Sequence, residues 1–207
     1  LKEAKVVNAE YKESYYSTSL IKNDIIPFNA FYDKKILSHF SFPERVTHIA
    51  AYAFSGTSLS GALIMPDDVI EIGNYAFSGT LIGSVAFSPR LNRIGMCAFD
   101  NCTSLTGTLT LSETLTYIGD RAFENCSFTG ELHLPNSLEY IGYGAFNDAG
   151  YFVGNLRIPD KITELHGVTF QSSKSPFKNG KLDLNNVIKY NGSEFRGCAF
   201  SGDLIIP

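Results

Sequence analysis

Residues 115–126 read LTYIGDRAFENC. Residues 69–80 read VIEIGNYAFSGT, and residues 138–146 read LEYIGYGAF. The shared frame is an apolar residue, two positions, Ile-Gly, two positions, then Ala-Phe. Its phenylalanines are Phe54, Phe77, Phe99, Phe123 and Phe146, at intervals of 23, 22, 24 and 23 residues. The same period reaches back to Phe31 and forward to Phe170 and Phe195. Eight anchors on one near-constant period are the signature of a stacked repeat protein.

The columns around each anchor say what the repeat buries. Five residues before Phe stand Ile49, Ile72, Ile94, Ile118, Ile141, Leu165 and Tyr190. Eight before it stand Val46, Val69, Leu91, Leu115, Leu138, Ile162 and Val187. Columns so consistently apolar stack on their own copies in a common core. The residue after the Ile column is Ala50, Gly73, Gly95, Gly119, Gly142, His166 or Asn191. A recurrent glycine there implies either positive φ or a close approach to the neighbouring coil. Ala50 and His166 fit that column poorly and mark local distortion.

Between anchors lie alternating stretches: HFSFP (39–43), ALIMP (62–66), SVAF (84–87), TLTL (108–111), ELHLP (131–135), NLRIP (155–159), KLDL (181–184) and DLIIP (203–207). Period-two alternation predicts a half-buried strand, and proline ends several where its missing N–H costs least. One such strand per coil, stacked in register, predicts a parallel sheet roughly 35–40 Å long. A second short strand is expected around Val-x-x-Ile, with turns or a 3₁₀ segment over Ala-Phe. The fold class is thus a repeat solenoid: a right-handed, β-rich, leucine-rich-repeat-like superhelix with one short strand per ~23-residue repeat. Residues 25–207 form about eight repeats, the last one truncated, and residues 1–24 read as an N-terminal capping segment in which Tyr11, Tyr15 and Tyr16 shield the first coil.

Composition agrees with a folded chain. Of 207 residues, 44% are hydrophobic and 18% charged, which excludes a disordered chain. A net charge of −4 is too small to imply a nucleic-acid partner. No apolar run reaches the ~20 residues that cross a bilayer. The chain begins with Leu and shows no signal peptide, so the expectation is a processed N-terminus. It stops within a repeat, which predicts downstream sequence or end-to-end association through the open coil.

The frame L-x-x-x-L-x-L/I-P-x-x-V/L-x-x-I-G-x-x-A-F-x-x-C, best seen in LSGALIMPDDVIEIGNYAFSGT and LTGTLTLSETLTYIGDRAFENC, resembles the BspA-like, or Treponema pallidum type, leucine-rich repeat. The resemblance covers roughly residues 25–207 and departs at 165–179, LHGVTFQSSKSPFKN, read as a stretched repeat that bulges from the stack. It implies a secreted or surface protein of a bacterium, with roles such as adhesion, coaggregation or binding of host matrix proteins. It carries no catalytic residue and no cofactor.

The reactive residue types have structural readings. Cys102, Cys126 and Cys198 share the position three after Phe, where Thr57 and Thr80 stand elsewhere, which predicts a buried ladder bonded to the turn backbone. Adjacent coils leave a Cys102–Cys126 disulfide sterically conceivable. No C-x-x-C, H-x-x-H or H-E-x-x-H occurs, and His39 and His133 lie four coils, ~20 Å, apart, so no metal is expected. Asp67-Asp68 reads as a solvated turn. Asn101-Cys-Thr, Asn125-Cys-Ser and Asn191-Gly-Ser match the glycosylation acceptor pattern, two of them within the consensus turn.

Binding then falls to the strands' outward positions. These are His39/Ser41, Ala62/Ile64, Ser84/Ala86, Thr108/Thr110, Glu131/His133, Asn155/Arg157, Lys181/Asp183 and Asp203/Ile205. The face changes from small and weakly polar to charged, and Glu131, His133, Asn155, Arg157, Lys181 and Asp183 are the candidate partner-binding residues. Tyr52 and Tyr75, one coil apart, either pack along the outer surface or offer an aromatic anchor. The expected function is a non-catalytic cell-surface or secreted module engaging a host or bacterial protein. The alternatives are a structural spacer displaying another domain and a glycan-binding module with aromatics beside Arg157 and Glu131.

Overall fold

The computed structural model describes residues 24–43 and 45–206, and before them the backbone of two strands, Ala4–Asn8 (β1) and Glu13–Tyr16 (β2). The chain is a parallel-strand β-solenoid of about eight turns, with no helix among the described residues. The eight anchor phenylalanines form one continuous stack. From Phe31 to Phe195 neighbouring rings lie 5.0–5.6 Å apart, with interplanar angles of 20° or less. Phe54, Phe77, Phe99 and Phe123 have no exposed surface. The Val/Leu column, and the Ile column as far as Leu165, lie beside them in the same core, almost wholly buried. No coil can close this core alone, which is why the motif must recur.

The continuous sheet lies on the Ile arc. Ile25–Ile26 (β3), His48–Ile49 (β5), Glu71–Ile72 (β7), Arg93–Ile94 (β9), Tyr117–Ile118 (β10) and Tyr140–Ile141 (β12) form one parallel six-stranded ladder in register. This reverses the expected ranking of the two arcs. The alternating stretches make only short ladders: Ser60–Ile64 (β6) with Leu81–Ala86 (β8), Phe128–Glu131 (β11) with Gly150–Val153 (β13), and Leu156–Arg157 (β14) with Leu182–Asp183 (β15) and Leu204–Ile205 (β16). The cause is length. The Ile arc has the same spacing in the first six coils, whereas insertions fall on the alternating arc, where the β6–β8 register shifts after Gly61. At the N-terminal end Leu37–Phe40 (β4) pairs antiparallel with β1, which also pairs with β2. Tyr11 and the side chains of Tyr15 and Tyr16 lie outside the described residues.

The glycine column resolves to one of its two readings. Gly73, Gly95, Gly119 and Gly142 do not have positive φ. A Cβ on each would stand 2.4–2.6 Å from an atom of the preceding coil, and within 2.7 Å of its backbone. They are glycines because the coils touch there. Positive φ falls instead two residues before and two after Phe: on Tyr52, Tyr75, Cys97 and Arg121, and on Gly56, Gly79, Asn101 and Asn125. The Ala-Phe arc is accordingly a run of turns and not a 3₁₀ segment. Its N–H groups alternate: those of Tyr52, Phe54 and Gly56 donate to Asn74, Ala76 and Ser78 of the next coil, and those of Ala53, Ser55 and Thr57 donate back three residues. Left-handed residues produce that alternation, and Asn tolerates them best after Gly. That accounts for Asn101 and Asn125 without a glycan.

Residues 165–179 do not bulge out. Phe170 keeps its place in the stack, and the extra length carries Phe177 into a second ring ladder, Phe128–Phe152–Phe177–Phe200, at 6.2, 5.8 and 5.0 Å. Lys174 Nζ pins the segment by donating to the carbonyls of Cys126 and Asp148 at 2.7 and 2.8 Å.

Candidate functional site

The inward and outward assignments of the alternating stretches hold throughout the charged half. Leu132, Leu156, Ile158, Leu182 and Leu184 are buried, while Glu131, His133, Asn155, Arg157 and Lys181 are exposed and Asp183 is half-buried. The six candidate residues therefore line one outer surface. β14 and β15 set Arg157 directly beside Asp183. Glu131, however, pairs with Val153 and not with Asn155. Two extra residues, Gly154 and Asn155, separate the end of β13 from β14. Tyr151 and Val153, 56% and 47% exposed, thus join the strip. The 24-residue interval between Pro135 and Pro159, against the 22-residue pairing offset, is the only trace of this in the sequence.

The polar side chains have local partners. His133 Nε2 lies 3.1 Å from Glu131 Oε2. Arg157 spans Asp160, Asp183 at 3.6 Å and Asn136 at 3.2 Å. Lys181 Nζ donates to Asp203 at 2.6 Å, and its N–H to Asn155 Oδ1 at 2.8 Å. Hydrogen bonds from Arg157 and then Asn185 hold the Asp160 carboxyl below the usual carboxylate range. Lys181 does the same for Asp203. Exposed pairs of this kind add little to folding stability. Their value lies in orienting charge on a surface.

The N-terminal half of the same face is not merely small. Ile64 is 72% exposed and, with Phe40 and Phe42, lines an open depression of about 610 Å³ bordered by Asp67 and Asp68. Asp68 is ion-paired with Arg90 at 2.7 Å. On the other flank Tyr52 and Tyr75 are half-buried, with rings stacked at 4.8 Å and 6°; Phe28 and Tyr32 meet the Tyr52 ring edge-on.

All four cysteines are free. The Cys102, Cys126 and Cys198 thiols donate to the carbonyls of Phe77, Phe99 and Phe170 in the preceding coil, at 3.1, 3.3 and 3.1 Å. Thr57 and Thr80 instead bond the Phe carbonyl of their own coil at 2.9 Å. Burial pushes the Cys102 thiol from its ordinary 9.0 to about 11. Between those values the folded chain binds more protons than the unfolded one, so stability should fall as pH rises through about 9 to 11. Unfolding midpoints measured across that window check this, and Cys102→Thr, at a cost under about 1 kcal/mol, should flatten the slope. Among the described residues no three His, Cys, Asp or Glu side chains are placed to hold a metal ion, and no helix is long and apolar enough to cross a membrane.

No curated protein matches the chain. A crystal structure of a leucine-rich repeat protein from Bacteroides ovatus is similar over 98% of the chain, with a TM-score of 0.57 and 23% identity. The chain spans 44% of that protein's length, and at this identity the likeness speaks to the fold alone. The model of the BspA type leucine-rich repeat region matches residues 24–151 and 106–207, in six copies. With that match over nearly all of its described length, the chain belongs to the BspA-type leucine-rich repeat family.

Proposed function

We propose that the chain is a non-catalytic binding module of a secreted or surface-exposed protein, and that it engages a protein partner through the outward face of β11 and β13–β15. The observation that carries this reading is the strip of outward residues Glu131, His133, Asn155, Arg157, Lys181 and Asp183, in which the Arg157–Asp183 and Lys181–Asp203 pairs lie largely in solvent where they add little to stability. Tyr151 and Val153 within the strip supply apolar contact beside the charges. BspA-type repeats are often surface-associated, which supports exposure to a host matrix protein or to another cell-surface protein.

The test is binding of the purified chain to an array of host matrix and bacterial surface proteins, beside the variant Glu131→Lys, Arg157→Glu, Lys181→Glu. A protein hit should weaken at least tenfold in the variant, since charged interface pairs cost 2–5 kcal/mol when one partner is removed. A hit unchanged by the variant would move the interface elsewhere. Silence from both folded proteins would favour a spacer that displays another domain.

A further inference from the structure

The six-stranded sheet ends at β12, beside the largest departure from the repeat. Between the fifth and sixth coils, Gly142 N donates to Ile118 O at 2.9 Å, as Gly119 N does to Ile94 O one coil earlier. The next bond in this series, from His166 N to Ile141 O, does not form. Among the described residues no backbone bond joins 163–166 to 139–142. The next bridge is Glu164 with Lys189, one coil further on. The sixth and seventh coils stay joined on the turn side, where Phe146 N donates to Thr169 O and Asp148 N to Gln171 O. The stack has parted along one arc only.

The sequence exception at the parting is His166. It stands in the glycine column, where a Cβ at Gly142 would lie 2.4 Å from the Asp120 nitrogen. Ala50 occupies the same column with its ladder intact, its N–H donating to Ile26 O at 2.9 Å; the much larger His166 side chain stands where the ladder parts. An open cleft of about 500 Å³ lies at the parting. The Tyr143 ring, 44% exposed, leans across the parting onto Gly167, where a Cβ would meet the ring at 2.4 Å. Tyr140 is stacked on Tyr117 at 4.8 Å and meets the His166 ring at 5.2 Å. Tyr190, 53% exposed, replaces the core Ile of its column and closes the far wall. Asn191 takes the glycine position of the eighth coil. Its turn is held by Glu194, a fully buried carboxylate that accepts the N–H groups of Asn191 and Gly192 at 2.8 Å.

We infer that this cleft is a carbohydrate-binding site. The exposed rings of Tyr190 and Tyr143 offer surface to the C–H groups of a pyranose, while Tyr140 is covered by Tyr117 and His166. The cleft's acids are already engaged: Glu164 by Lys189 at 3.1 Å, and Asp120 by Tyr143 N at 2.9 Å. Asp120 has no cationic partner among the described ion pairs, so its carboxylate can also accept a sugar hydroxyl. The donor left open in the cleft is the His166 N–H, beside the His166 ring; the Asn191 side-chain oxygen is taken by Ser193. A sugar hydroxyl is donor and acceptor at once and satisfies both kinds. The site lies on the Ile arc, away from the protein-binding strip, and does not depend on it.

The test is saturation-transfer NMR of the chain with a panel of methyl glycosides of hexoses and N-acetylhexosamines. A single glycoside in a shallow site should bind with a dissociation constant on the order of millimolar. Tyr190→Ala should weaken it roughly 3- to 10-fold. His166→Gly, which restores the repeat, should abolish it and bring protection from hydrogen exchange to residue 166. The charge-reversed variant of the other face should bind as the parent does. No transfer to any glycoside, transfer indifferent to both cleft variants, or displacement of the glycoside by tetralysine would overturn the assignment. Tyr190 is exposed, so Tyr190→Ala decides the matter even where His166→Gly disturbs the seventh coil.

Discussion

Phe123→Ala should destabilise the fold by about 3–5 kcal/mol, which for a chain of this size lowers the unfolding midpoint by about 6–20 °C. Phe123 has no exposed surface. Its ring stacks on Phe99 at 5.6 Å and Phe146 at 5.5 Å, and meets Phe128 edge-on at 5.8 Å. Truncation leaves a cavity that the flanking coils cannot close, because their spacing is set by their own ladders. In a solenoid each coil touches only its neighbours, so a weak fifth coil also divides the molecule in two. Circular dichroism and tyrosine fluorescence, coincident in the parent, should separate in the variant. Phe195→Ala is the internal control: its ring is only partly buried and has one stacking neighbour in the ladder, Phe170. A loss at Phe195 as large as that at Phe123 would contradict a cooperative stack centred on the middle coils.

A second pair of substitutions should move stability in opposite directions. Gly142→Ala brings a methyl group to 2.4 Å from both the Asp120 nitrogen and Asp120 Oδ1, and 2.7 Å from the Gly119 carbonyl carbon. Backbone cannot move aside as a side chain can. Overpacking of this kind costs about 1–3 kcal/mol, and the β10–β12 bonds that part with it add about 0.5–1.5 kcal/mol each. Arg121→Gly should be neutral or stabilising by up to about 1 kcal/mol. Arg121 has φ 54°, a left-handed conformation costing an L-residue roughly 1–2 kcal/mol, against about 0.5–1 kcal/mol for the added freedom of glycine. Its pair with Glu124, at 3.5 Å and 54% exposed on the arginine side, offsets little. Chemical denaturation of the two variants checks both signs. A harmless Gly142→Ala beside a damaging Arg121→Gly would mean that the column serves backbone conformation and not contact.

Much of this was legible in the residues. Phe31 through Phe195 fall on one period, and period alone dictates that they stack. Leu132, Leu156 and Leu182 alternate with Glu131, Arg157 and Asp183, and a pleated strand can only send them to opposite sides. The thiol ladder follows from Thr57 and Thr80 occupying the same column as Cys102, because hydroxyl and thiol can bond the same kind of carbonyl. The features that were not legible have one thing in common: each depends on the distance between coils, which no single repeat encodes. Gly142 was readable as a turn or as a contact until the separation of 2.4 Å decided it. The order of the two arcs depended on where insertions fell, and Gly154-Asn155 placed Val153, not Asn155, beside Glu131. His166 was visible as an exception to its column, but the ladder that opens beside it, between the sixth and seventh coils, exists only where successive coils meet. By itself the sequence determined the repeat, its buried columns and its family. The spacing and parting of the coils, and with them the surfaces available for binding, were decided by the tertiary structure, because steric contact between successive turns is a property of the stack and not of any one of them.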